Sequence, residues 1–153
     1  MSKIKEKKQP PRVSSKAVAD NIGRNPESEH ITFCFKYLTN NNKYTFNHFK
    51  KDQSRNELKC RKNLDDLLST LAQSSWLEIG KRDKTTIGGY ELLSVKSFSI
   101  PAQSLNVQND EKLLSFRFGP ADSYRLVGSK KERSSVLHVI AYDFDFTLYN
   151  HGS

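Results

Sequence analysis

Polar and apolar residues alternate from His30 onward in a way that separates strands from a helix. In HITFCFKYL, Ile31, Phe33, Phe35 and Tyr37 alternate with Thr32, Cys34 and Lys36, the two-residue period of a β-strand. Thr39 to Asn42 reads as a turn, and KYTFNHF alternates again through Tyr44, Phe46 and His48. The two runs together predict a β-hairpin. Ser54 and Glu57 have the spacing of a capping box. Behind them Leu64, Leu67, Leu68 and Leu71 fall at i, i+3, i+4 and i+7, which predicts an amphipathic helix over about 55–74. Trp76 and Ile79 are expected to cover its end, and Lys59, Arg61, Lys62, Asp65 and Asp66 form its solvated face.

The last third is strand-rich. In LLSFRFG, Leu114, Phe116 and Phe118 share one face and Ser115 and Arg117 the other. In SYRLVG, Tyr124 and Leu126 oppose Arg125 and Val127. KKERSS reads as a charged hairpin tip, and VLHVIAYDF is nearly continuously apolar, as a strand buried on both faces is. YELLSV reads as a short strand or a helical turn, Ile100 to Asn109 as a linker, and FTLYN as a terminal strand or tail. The order predicts an α+β fold: a mostly antiparallel sheet of about five to six strands packed against one main amphipathic helix.

Residues 1–28 have little apolar content and no sustained period, and contain Pro10-Pro11. They read as a flexible, disordered basic arm preceding one α+β domain over 29–153. The arm has seven Lys or Arg against three acids, so it carries half of the chain's net charge of +8. It fits a phosphate-tracking arm and a solubilising tail equally. The basic balance suits polyanionic partners without choosing among them. Cys34 and Cys60 show no disulfide framework and no Cys-x-x-Cys spacing, so two reduced thiols are expected. With no apolar leader and no run long enough to span a bilayer, the expected location is cytoplasmic, with no membrane partner.

Asp143-Phe144-Asp145-Phe146-Thr147 after an apolar strand looks like the first motif of haloacid-dehalogenase-type phosphatases. That motif opens its fold, however, and here only Leu148 to Ser153 follow it. Asp143 and Asp145 are therefore read as turn residues ending a buried strand. The histidines at 30, 48, 138 and 151 show no metal-ligand spacing, so no metal and no cofactor are expected. His151 beside Tyr149 has the residue types of a general acid–base pair at the end of a sheet.

The basic residues are more coherent. Arg117, Arg125, Lys130, Lys131 and Arg133 belong to the C-terminal strands or their tip, with Tyr124, Tyr142 and Tyr149 interleaved. Cations and aromatics on one sheet suit single-stranded RNA, with phosphates on Arg and bases on rings. The same pattern fits a sheet edge guarded by charge. The layout from Leu114 to His151 resembles the C-terminal half of RelE/HigB-type bacterial toxins, which are small basic mRNA endonucleases. It shares an Arg-bearing strand, a YRLV strand, a charged turn, an apolar strand and a terminal Tyr or His. The resemblance covers about a quarter of the chain, and the long arm and single helix depart from the family's pattern. It implies a metal-independent endoribonuclease of a toxin–antitoxin, phage or plasmid system, with Arg117, Arg125, Tyr149 and His151 as catalytic residues. Lys130, Lys131, Arg133 and Tyr124 would then contact nucleic acid, RNA foremost, and an acidic antitoxin would be a further partner. The alternative is a non-enzymatic nucleic-acid-binding or protein-interaction module. An enzyme requires the Arg, Tyr and His groups to converge in one concavity, whereas a binder needs only a continuous basic face.

Overall fold

The computed structural model describes residues 25–50 and 56–151. The chain forms an α+β fold with one five-stranded sheet: β1 (Thr32–Cys34), β2 (Tyr90–Ser94), β3 (Lys112–Phe118), β4 (Tyr124–Ser129) and β5 (Val136–Asp143). The spatial order is β1-β5-β4-β3-β2. Neighbours are antiparallel except β1 and β5, which run parallel. The sheet is thus mixed, with a single parallel pair at one edge. The main helix α1 (Glu57–Ala72) is followed by the one-turn α2 (Trp76–Ile79).

Helix α1 buries Cys60, Leu64, Leu67 and Leu71 against Phe116, Leu126, Val139 and Tyr142 on one sheet face, with Trp76 and Ile79 closing the same core. The leucine spacing therefore reads through to the packing. Its N-cap is Asn56, whose side chain accepts a hydrogen bond from Lys59 N, while Ser54 and Arg55 lie outside the described residues. A reciprocal capping box does form one helix later, where Ser75 and Glu78 cap α2. The solvated face carries two i,i+4 ion pairs, Arg61 with Glu57 and Lys62 with Asp66.

The predicted first hairpin does not form. KYTFNHF instead makes two 3-10 turns, Asn42–Tyr44 and Phe46–Lys50. The reason is local. The Asn41 carboxamide accepts from Lys43 N, and the Thr45 hydroxyl accepts from Asn47 N, so short polar side chains satisfy the backbone before a sheet can. Phe46 and Phe49, three residues apart, then both reach Phe144. Strand β1 pairs instead with β5, across about a hundred residues of sequence, with Thr32 opposite Val136 and Cys34 opposite His138.

The second face of the sheet is also covered, by chain without regular helix or strand. The segment read as a linker makes a 3-10 turn at Ala102–Leu105 and buries Leu105 with Val95, Phe98, Val127, Ile140 and Leu148. The covering is stitched to the tail, where Ser99 N donates to Leu148 O at 2.7 Å and Phe98 bridges Tyr149. Strand β5, buried on both faces, is the interior strand that its apolar run predicted. Within 25–28, the end of the segment read as arm, Pro26–Ser28 forms a 3-10 turn and Glu27 pairs with Lys130 at 2.7 Å. The remainder of the expected arm, residues 1–24, lies outside the described residues.

Burial pushes the Tyr142 phenol up to about 12, with nearby Arg61 opposing the shift. An unfolded tyrosine ionises near its ordinary value, so folding stability is intact below pH 10 and declines as pH rises towards 12. The loss is expected to reach about 2–3 kcal/mol. Urea unfolding at pH 9 and at pH 11.5 measures it. Tyr142→Phe should remove most of the difference between the two.

Candidate functional site

The register of the sheet assembles a polar cluster at one end of its second face. Antiparallel partners share a face. Glu91 lies opposite Ser115, Ser115 opposite Val127, and Val127 opposite Ala141. One row along, Arg117 lies opposite Arg125 and Arg125 opposite Asp143. The β3–β4 connection that creates this row turns at Gly119, where φ is +78° and an added Cβ would fall 2.1 Å from the Tyr124 ring. Glycine is required there on both counts.

The tail completes the site. Phe144 enters the helix-side core, Leu148 and Tyr149 enter the opposite one, and residues 145–147 turn between them. Asp143, fully buried, holds this turn: Oδ1 accepts from Asp145 N at 3.1 Å and Oδ2 from Leu148 N at 2.8 Å. Asp143 thus ends the strand as a turn residue. Both of its oxygens accept from backbone amides of the turn that follows. The turn carries Tyr149 back over the sheet, and the Tyr149 hydroxyl sits among Arg125, Ser115 and Glu91. Arg125 Nε donates to it at 3.1 Å, and the hydroxyl donates to Glu91 Oε1 at 3.1 Å. Ser115 Oγ lies 2.7 Å away and completes the set as a donor.

Arg117, Arg125, Tyr149 and His151 line one open cavity of about 490 Å³, together with Lys84, Glu91 and Phe146. The four residues singled out from the sequence therefore meet. Three cations face one carboxylate there. Arg125 is only 2% exposed, although alternation in β4 predicted an outward side chain. The face itself is roofed by the 95–107 segment and the tail, so facing away from α1 did not mean facing solvent. Arg125 is fixed by the carbonyls of Asp122 and Tyr124 and lies 4.5 Å from the centre of the Phe146 ring. Among the described residues neither arginine forms an ion pair with a carboxylate, and the buried Arg117 Nε and His151 Nε2 have no hydrogen-bond partner. Burial holds the Tyr149 phenol above its ordinary value. Burial, reinforced by Arg125 and opposed by Asp143 and Glu91, holds His151 below the usual imidazole value. The tyrosine is therefore a phenol and the histidine a neutral base at neutral pH.

The other predicted contacts are not brought to this cavity. Tyr124 is buried in the helix-side core, where its ring meets Phe118 and Phe144 and its hydroxyl accepts from Cys60 Sγ at 3.4 Å. It has no face for a base, and this corrects the assignment of Tyr124 to nucleic acid. Lys130 is paired with Glu27 and lies over Trp76. Lys131 borders a separate cavity of about 140 Å³ beside Tyr37 and His138. Arg133 is exposed at the β4–β5 turn with φ 53°. Sequence reasoning missed Lys84, Glu91 and Phe146. In β2 Glu91 shares the face of Leu93, but YELLSV read only as a short strand or a helical turn, and nothing local indicated what either face would meet. Comparison of the chain with protein-family models, curated proteins and solved structures gives no match. The described helices include none long and apolar enough to cross a membrane.

Proposed function

We propose that the cavity receives a phosphodiester of single-stranded RNA and that the protein is a toxin-type endoribonuclease using the ribose 2′-hydroxyl as nucleophile. One observation carries this reading. Two arginines stand directly opposite each other at the cavity, one of them buried, and neither is paired with a carboxylate among the described residues. Like charges so placed are costly. A bound phosphate relieves that cost, and Arg117 Nε supplies an uncommitted donor for it.

The chemistry follows from the protonation states. The neutral His151 imidazole takes the 2′-hydroxyl proton as the 2′ oxygen bonds to phosphorus. Arg117 and Arg125 hold the non-bridging oxygens as charge builds on them. The bond from phosphorus to the 5′ oxygen breaks, and the Lys84 ammonium at the cavity wall protonates that oxygen. The products are a 2′,3′-cyclic phosphate and a 5′-hydroxyl, and the proton on His151 returns to Lys84 through water. Tyr149, its hydroxyl saturated by Arg125, Ser115 and Glu91, keeps its proton and orients Arg125.

Incubation of a labelled single-stranded RNA with the protein is expected to yield these ends. A 2′-O-methylated copy should bind and stay intact. His151→Ala should slow cleavage by about 10²- to 10⁴-fold with little change in binding. Because burial lowers the His151 pKa, the acid limb of the rate profile should lie at lower pH than an ordinary imidazole would give. RNA that binds but is never cut would reduce the protein to a binding module, and absence of binding would remove the phosphate site altogether.

A further inference from the structure

Phe146 stands out in the candidate site for its backbone. Its φ of 62° places a bulky aromatic residue in the left-handed region, which glycine or asparagine ordinarily occupies. Its ring is 40% exposed, so burial in the core does not account for it. The ring makes two contacts at the cavity. The Arg125 guanidinium lies 4.5 Å from its centre, and the His151 imidazole stacks on it with the two planes 8° apart. The Tyr149 ring, 4.1 Å from the imidazole, flanks His151 as well.

We propose that Phe146 is a positioning residue: its ring is the shared surface that sets the spacing between the His151 imidazole and the Arg125 guanidinium, so that both address one phosphodiester. The assignment rests on the ribonuclease reading of the cavity. His151 Nε2 has no hydrogen-bond partner among the described residues, and the imidazole stacks between the Phe146 and Tyr149 rings. The left-handed backbone at 146 turns the ring back over the cavity instead of into either core. The charged groups facing His151 come from every neighbouring element: Glu91 on β2, Arg117 on β3, Arg125 on β4, Asp143 at the end of β5 and Lys84 in the loop before β2. The ring's own contribution is to shield and orient the imidazole among them.

The experiment compares the full chain with Phe146→Gly and Phe146→Tyr. Glycine accepts the positive φ without strain, so Phe146→Gly keeps the turn while removing the ring. Tyrosine keeps the ring. Proton NMR titration of His151 is done on the free proteins, and cleavage of single-stranded RNA is followed against pH. In Phe146→Gly the imidazole protons should lose the part of their ring-current shift that Phe146 contributes, and the His151 midpoint should rise towards the ordinary value. The cleavage rate should drop roughly ten- to a hundred-fold, with its acid limb displaced to higher pH. Phe146→Tyr should match the wild type in each measurement. Unchanged His151 shifts and midpoint in Phe146→Gly, with an unaltered melting temperature, would overturn the positioning role. If the titration moves as expected and the wild type cuts no RNA, the ribonuclease reading fails while the clamp between ring, base and cation stands.

Discussion

Replacing Arg117 with methionine is expected to abolish tight binding of single-stranded RNA while leaving the protein at least as stable as before. Arg117 faces Arg125 across β3 and β4, and its Nε has no acceptor among the described residues. Removing it relieves a like-charge contact and an unsatisfied donor, and methionine keeps the apolar stem's volume. A charge-assisted hydrogen bond to phosphate contributes about 1.5–3 kcal/mol, so affinity should fall by about ten- to a hundred-fold. The slope of log affinity against log salt should flatten by about one. Arg125→Met should lose the same affinity and also stability. It strips donors from the Asp122 and Tyr124 carbonyls and from the Tyr149 hydroxyl. Salt-titrated binding and thermal unfolding of both variants separate the roles. If Arg117→Met melts as far below the wild type as Arg125→Met does, the arginine pair serves the fold and not a ligand.

Asp143→Ala is expected to cost about 2–4 kcal/mol and to open the cavity from the tail side. The carboxylate is fully buried, and its two oxygens accept from the amides of Asp145 and Leu148, bonds that fold residues 145–148 back across the end of β5. Without it, Leu148 and Tyr149 lose their guide into the second core, and Phe146 and His151 lose their place beside Arg125. Denaturant unfolding gives the stability, and the change in His151 NMR shifts reports the cavity. Asp143→Asn, which keeps one acceptor, should retain part of both. An Asp143→Ala protein with wild-type stability would show that the tail is held by its apolar contacts alone.

The parts of the fold that were legible in the sequence are those whose pattern is set by one neighbour. The leucines of α1 face a single core, and the apolar run of β5 had to be interior. The alternations of β3 and β4 correctly separated Phe116, Phe118 and Leu126 from Ser115 and Arg117. Periodicity failed where a side chain could satisfy the backbone locally. Asn41 and Thr45 turned an alternating segment into 3-10 turns. It failed again where a face was covered by irregular chain. Nothing in IPAQSLNV has a strand or helix period, yet Leu105 is fully buried over Val127 and Ile140.

The candidate site divides in the same way. The sequence by itself singled out four residues that line the cavity: two arginines on successive strands, and a tyrosine and a histidine at the end of the tail. It determined their shared face as well, because hairpin register follows from a short connection and a two-residue period. Only the tertiary structure decided that this face is enclosed, since burial depends on what packs from elsewhere in the chain. Enclosure made Arg125 a buried cation, kept Tyr149 a phenol and His151 a neutral base, and brought Glu91, Lys84 and Phe146 to the same cavity. Desolvation and contacts between distant segments are properties of the folded chain, and no local pattern encodes them.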